Sequence, residues 1–204
     1  MYPPALPQQS PYTSCYCEEN VYLLCQTFLT DEQVSSEWDI FGVFISNPSK
    51  TVALWGQKNA RIPGSVVVWD YHVVLLLLPR LAGSGSWIYD FDTTLPIPCS
   101  SQEYLDESFL PFISEQYTSL FRIIPGRIFI DNFASDRSHM LLGNGELSSP
   151  PPYYPPIAGP VATEMGMTMN LMTAFVCMEK KSGTFGDVVE LDELKHDLVT
   201  CVTE

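Results

Sequence analysis

Thirteen residues, "VVVWDYHVVLLLL" (Val66–Leu78), constrain the fold more than any other stretch, because all but Asp70 and His72 are apolar. The run is too short to span a bilayer, which takes about 20 residues. It reads instead as a strand of a protein core. Burying a neutral polar group without a partner costs roughly 2–7 kcal/mol, and a charge costs more. Asp70 and His72 therefore need partners or form a site. Side chains alternate along a strand, so the two share a face.

Partners are available just downstream. "WIYDFD" (87–92) follows the Gly/Ser-containing loop "LAGSGS" and forms the second arm of an antiparallel hairpin. If the numbers of paired residues sum to 162, His72 lies across from Asp90; a sum of 164 selects Asp92. Opposed side chains lie about 4.5–5.5 Å apart at Cβ, so either register gives the imidazole a carboxylate. Asp70, two residues along the same strand, is a poorer partner. Trp69 and Tyr71 then face away from His72, into the core.

Around this hairpin the chain has room for one domain with a sizeable core, and 46% hydrophobic against 17% charged residues is a globular composition. Residues 1–12 are rich in Pro and Gln and read as a loose, flexible arm, with the single domain at 13–204. A helix starts near Cys17: Val21, Leu24, Cys25, Phe28 and Leu29 form one buried stripe, and Glu18 and Glu19 suit the dipole of its first turn. "FGVFIS" (41–46) and "TVALWG" (51–56) flank the turn signal "NPSK" and read as a hairpin. Residues 101–120 read as a helix with Tyr104, Leu105, Phe109, Phe112 and Ile113 on its apolar face. "FRIIPGRIFIDNF" reads as strand on both sides of a Pro-Gly turn. The Pro-rich 148–160 reads as a surface connector, and a short helix spans Glu190–Leu198. This order gives an α+β fold with a mostly antiparallel sheet.

The formal charge of −14 disfavours nucleic acid, whose phosphates require clustered Lys and Arg, and is compatible with a cationic ligand such as a free amino terminus. The N-terminus lacks a basic region followed by an apolar stretch, so no secretory signal is expected. The six cysteines are accordingly read as reduced thiols, mostly small buried hydrophobes.

A thiol at a helix N-terminus beside an imidazolium is acidified, to pKa values of about 3.5–7.5. Cys17 is placed for this, with Cys15 a near competitor. Cys, His and Asp would then supply a nucleophile, a base and an orienting carboxylate. On the residues alone, a core His–Asp pair without catalysis explains the pattern equally well. A zinc site from Cys15, Cys17 and His72 is the poorer reading, since C-x-C with one distant His matches no recognised finger spacing. Cys25 and Cys15 read as packing residues, Asp92 as a structural acceptor, His139 as a surface or structural histidine and His196 as solvated.

Six stretches in order resemble one family. "WDYHV" (69–73) is similar to the signature of the protein N-terminal glutamine amidohydrolases, as are "SCYCEEN" (14–20), "VFISN" (43–47), "YDFDTTLPIPC" (89–99), "NFASDRSHM" (132–140) and "PPPYYP" (150–155). The likeness runs from about Tyr12 to the last helix, with a longer loop at Pro79–Ser86 and only loose similarity over 141–190. The resemblance implies Cys17 as nucleophile, His72 as base and Asp90 as third member, which selects the sum of 162. It also implies a papain/transglutaminase-like core with the nucleophile on a helix, and no metal or organic cofactor. The implied partners are proteins or peptides with a free N-terminal Gln, acted on by a cytoplasmic and nuclear monomer that binds neither nucleic acid nor membrane. The implied product is an N-terminal Glu that feeds the N-degron route.

Overall fold

The computed structural model describes residues 2–81, 84–111 and 113–203. Its strands are β1 (Trp38–Ser46), β2 (Val52–Leu54), β3 (Val67–Trp69), β4 (His72–Pro79), β5 (Trp87–Tyr89), β6 (Cys99–Ser100), β7 (Leu120–Pro125), β8 (Ala134–Ser135), β9 (Ile157–Ala158) and β10 (Asp187–Glu190). Its helices are α1 (Cys17–Thr30), α2 (Glu32–Glu37), α3 (Ser101–Ser108), α4 (Gly126–Asn132), α5 (Pro160–Glu164) and α6 (Leu191–Thr203). Six strands form one open sheet in the order β10-β7-β1-β4-β5-β6, with every neighbouring pair antiparallel. The fold is a single α+β domain. No helix among the described residues is long and apolar enough to cross a membrane.

The sheet is covered on both faces. Val73, Leu75, Leu77 and Tyr89 pack with Tyr22, Phe28 and Phe129 under α1 and α4. Val74, Leu76 and Ile88 pack with Tyr104, Leu105, Leu194 and Leu198 under α3 and α6. A strand buried on both faces has no polar side, which is why β4 reads as an unbroken apolar run. The stripe on α1 is buried as its spacing predicts. Asp31 ends that helix and caps α2, accepting from Gln33 N and Val34 N.

Several expectations are corrected. Val66–Leu78 is two strands, not one: β3 ends at Trp69, β4 begins at His72, and Asp70 lies exposed at the break, accepting from Tyr71 N. The 41–56 hairpin does not form, because β1 pairs with β4 and β7 while β2 pairs with β3. The helix expected over 101–120 stops at Ser108, two residues before Leu110-Pro111. Of its apolar face, Tyr104, Leu105 and Phe109 are buried, and Phe112 lies outside the described residues. "GRIFIDN" is α4 rather than a strand; Phe129, Ile130 and Phe133 bury on one helical face, whereas Ile128 is exposed. Residues 2–12 form no helix or strand, yet they lie against the domain. The Pro4 carbonyl accepts from Tyr89 Oη, Leu6 packs on the core, and Tyr12 stacks on Phe91.

The β4–β5 hairpin is present, but its pairs Leu75–Tyr89, Leu76–Ile88 and Leu77–Trp87 sum to 164, not 162. The slip slides one strand past the other by two residues, a whole pleat period, so every side chain keeps its face and no burial is lost. The apolar pattern therefore could not distinguish the two registers.

Arg122 on β7 is fully buried, and its guanidinium donates to the carbonyls of Cys177, Glu179 and Phe185, tying the 177–186 loop to the sheet. Arg122→Met keeps much of the volume but strands these acceptors. It should lower unfolding free energy by about 3–5 kcal/mol in urea titrations; a loss under about 1 kcal/mol would show that the carbonyls find other donors.

Candidate active site

His72 opens β4 on the face of Val74 and Leu76, and its Nε2 lies 2.9 Å from Asp90 Oδ1. Both side chains are buried. In the observed register Asp90 sits diagonally from His72, just past the end of β5, a separation that long side chains bridge. The chain turns there because the carboxylate caps its own loop: Asp92 N donates to Asp90 Oδ1 at 2.8 Å. Tyr104 Oη and Gln57 Nε2 donate to Oδ2 at 2.9 and 3.2 Å. The expected partner is thus correct and the expected register is not.

Burial alone would raise the pKa of Asp90. The charge and hydrogen bond of His72, helped by the Asp92 amide and Tyr104, outweigh burial and hold the carboxyl below the usual carboxylate range. Burial alone would depress the imidazole, but the charge and hydrogen bond of Asp90, with Asp92 and Glu18 behind them, raise it above its ordinary value. With Nε2 engaged by Asp90, the other nitrogen, Nδ1, has no hydrogen-bond partner among the described residues. The Trp69 ring stacks on the imidazole at 5.5 Å between centroids, not away from it, because the chain breaks between β3 and β4.

Cys17 is the first residue of α1 and is 8% exposed. Asn20 clamps the turn leading into it, accepting from Thr13 N and donating to Thr13 O, both at 2.9 Å. Sγ faces Glu18 Oε2 at 3.7 Å, and the Val73 peptide, one residue past His72, favours the thiolate. The Cys17 thiol and the His72 imidazole share no hydrogen bond. Burial pushes the thiol well up, the Glu18 and Asp92 carboxylates push it further, and only the Val73 peptide opposes them. The acidified thiol expected from the helix start is overturned, because the acids that suit the helix dipole are themselves buried beside the sulfur. Both burial and these acids favour the protonated thiol.

The sequence reading missed the second layer of polar groups. Glu18 and Glu19, placed in the first turn by the helix dipole, are also fully buried. Glu19 takes a bidentate pair from Arg137 at 2.8 and 2.8 Å, and that guanidinium also covers the Tyr16 and Tyr154 rings. Glu18 Oε2 accepts from Tyr71 Oη at 2.9 Å, and Tyr71 Oη contacts His139 Nε2 at 3.1 Å. Tyr71 is therefore core on one side and site on the other, and His139 is part of the site's wall rather than a surface histidine. Two acids directly after a helix-start cysteine were the one sequence signal for this layer; nothing local marks Gln57 or Tyr104.

Other expectations stand. Cys25 is buried in the core, Asp92 accepts from Tyr12 Oη at 2.6 Å, and His196 is exposed. Cys15 is half-buried with a left-handed φ of 68° and is not a core residue. Cys15, Cys17 and His72 do not form a metal-binding group; the ligand types that converge are His72, Asp90 and Asp92, within 4.8 Å. In that cluster the Asp90 oxygens already accept four donors. A surface groove of about 1090 Å³ lies elsewhere, between Asn47, Phe109, Leu120 and Leu191, and touches none of the site residues.

The antiparallel α+β domain thus buries an imidazole against a charged carboxylate and leaves the second ring nitrogen unpartnered among the described residues, the kind of perturbed titratable pair that clusters at functional sites. Residues 12–198 match the model of the N-terminal glutamine amidase family. Three relatives carry the name protein N-terminal glutamine amidohydrolase. The Danio rerio protein is 41% identical over 191 residues, 92% of this chain and 89% of its own. The Homo sapiens protein is 40% identical over 199 residues, 96% and 92% of the two chains. The Drosophila melanogaster protein is 38% identical over 186 residues, 89% and 85%. The chain belongs to the N-terminal glutamine amidase family and is an amidohydrolase.

The opposing shifts at His72 and Asp90 set a pH window. The depressed carboxyl stabilises the fold above its ordinary value of 3.8 and loses this as pH falls through its lowered pKa; the raised imidazole stabilises it below 6.5 and loses this as pH rises through its raised pKa. NMR titration of His72 should give a pKa above the ordinary value in the wild type and a lower one in Asp90→Asn, where only Asp92 and Glu18 still oppose burial. An unchanged midpoint would remove Asp90 as the source of the shift.

Proposed function

We propose that this protein hydrolyses the side-chain amide of an N-terminal glutamine to glutamate and ammonia, through Cys17, His72 and Asp90. The observation that carries the reading is the unpartnered, buried Nδ1 of a carboxylate-held His72 in a domain whose first long helix starts at the buried Cys17. The names of the relatives supply the substrate.

Because the site favours the protonated thiol, the first step is transfer of its proton to His72 Nδ1 as the substrate seats, with Asp90 stabilising the imidazolium. The thiolate attacks the carboxamide carbon, and the oxyanion is held by the Cys17 backbone N–H at the helix start. His72 returns its proton to the departing ammonia, leaving a thioester. A water that loses its proton to His72 then breaks the thioester, giving the glutamate side chain and restoring the thiol. Every proton is accounted for by these groups, so the cycle as drawn runs on side chains and water. The sheet with a thiol-bearing helix at one end suits a papain/transglutaminase-like core. The product, an N-terminal Glu, fits a role upstream of proteolysis in an N-degron route, with the protein working as a monomer in the cytosol and nucleus.

Ammonia release from purified protein tests the reading. Gln-initiated peptides should lose ammonia without cleavage or cross-linking. Peptide cleavage or cross-linking would instead indicate a cysteine protease or a transglutaminase-like enzyme using the same three residues. Cys17→Ala and Cys17→Ser should abolish release while Cys15→Ser keeps a substantial fraction; the reverse pattern would reassign the nucleophile.

Substrate length gives a further expected outcome. Asn is one methylene shorter, which sets its carboxamide over an ångström back from the sulfur; a displacement of that size costs about a hundredfold in rate. Steady-state kinetics on matched Gln- and Asn-initiated peptides should show that gap. Equal kcat/KM values would remove the positional basis for choosing glutamine.

A further inference from the structure

We propose that Glu18 is the receptor for the α-ammonium of the substrate's first residue, binding it through Oε1. The proposal rests on the N-terminal glutamine reading above and supplies the group that distinguishes a free terminus from an internal glutamine.

The two buried acids of the first turn of α1 are treated differently. Glu19 has a permanent cation, Arg137, on both oxygens. Glu18 has none. Its Oε2 accepts from Tyr71, while its Oε1 is buried without a hydrogen-bond partner among the described residues. The basic group nearest Oε1 is His139 Nε2 at 3.7 Å, and burial pushes that imidazole below its ordinary value, so it is neutral near neutral pH. A buried carboxylate without a cation is costly, and burial accordingly lifts Glu18 to about 7. An ammonium delivered to Oε1 would supply the missing charge, in a chain whose formal charge of −14 already favours cationic ligands.

The reach is right. In glutamine the carboxamide carbon is four bonds from the α-nitrogen, about 5 Å when extended at bond lengths near 1.5 Å. A near-attack carbon stands about 3–3.5 Å from its nucleophile, and a charged N–H···O contact spans about 2.7–2.9 Å. Cys17 Sγ lies 3.7 Å from Glu18 Oε2, the other oxygen of the same carboxylate, so the span of one glutamine matches the separation between sulfur and carboxylate. The ligand class is therefore a peptide with a free, cationic amino terminus and a carboxamide at glutamine's distance. Acetylation, or a peptide bond at that nitrogen, removes the charge.

The same contact prepares the nucleophile. Glu18 is, after burial, the largest influence holding the Cys17 proton. A cation on Glu18 cancels that influence, so the correct substrate eases ionisation of the thiol it is about to meet.

The experiment uses the full chain and two peptides that differ only at the first residue: glutamine in one, a glutaramoyl cap in the other, which keeps the carboxamide and replaces the α-amine with hydrogen. Wild type should favour the amine by at least about a hundredfold in kcat/KM. In Glu18→Gln the ratio should fall below about tenfold, through a higher KM for the amine peptide, while the glutaramoyl peptide is turned over no more slowly. Iodoacetamide should also alkylate Cys17 faster in Glu18→Gln than in wild type. An unchanged ratio in a variant that melts cooperatively would overturn the assignment. If Glu18→Gln does not fold, Glu18→Asp decides: a roughly tenfold rise in KM with kcat kept supports the proposal, and an unchanged KM overturns it. Wild type that releases no ammonia from the Gln peptide would overturn the functional reading, and this proposal with it. Wild type that does so, beside a Glu18→Gln variant with the same preference, would overturn the Glu18 assignment alone.

Discussion

The organisation of the domain follows from one constraint: β4 is buried on both faces. Leu75 and Leu77 need cover on one side and Val74 and Leu76 on the other, so helices must lie on both sides of the sheet, and β1 and β5 must flank its edges. Polar chemistry can then reach this strand only at its end, where His72 stands. α1 presents its first residue at that end from one face, and α3 sends Tyr104 to Asp90 from the other. The site is a consequence of where a two-sided apolar strand stops.

Its electrostatics are a balance of buried charges. Asp90 is fixed as an anion by four donors, and that anion sets the state of His72. The sulfur, in contrast, is surrounded by acids that hold its proton in place. The two halves of the site are therefore biased in opposite senses, the carboxylate towards its charged form and the thiol towards its neutral one.

What was legible in the sequence was whatever local spacing determines. The stripe of α1 and the apolar run of β4 could be read directly, and so could the partnership of His72 with a carboxylate in the next strand. Long-range pairing was not legible: "NPSK" signals a turn truthfully, but β2 leaves that turn to meet β3 rather than β1. α4 was misread because a Pro-Gly pair suits a hairpin turn as well as a helix start, and only the burial of Phe129 with Phe133 decides. The register slipped because the alternatives preserve every face. The Cys17 shift had the wrong sign because helix position is local, whereas burial and the Glu18 and Asp92 neighbours are tertiary. The family resemblance named Cys17, His72 and Asp90; Glu18, Tyr71 and Arg137 came only with the fold.

The bias of Cys17 towards its protonated form also bears on survival in a cell under oxidative stress. Peroxides attack thiolates, and the ladder from sulfenic to irreversible sulfonic acid begins only where the thiolate is populated and accessible. A buried sulfur biased towards protonation by neighbouring carboxylates stands off that ladder between turnovers. The half-buried Cys15 and Cys177 are more open to solvent than Cys17, so oxidant reaches them first.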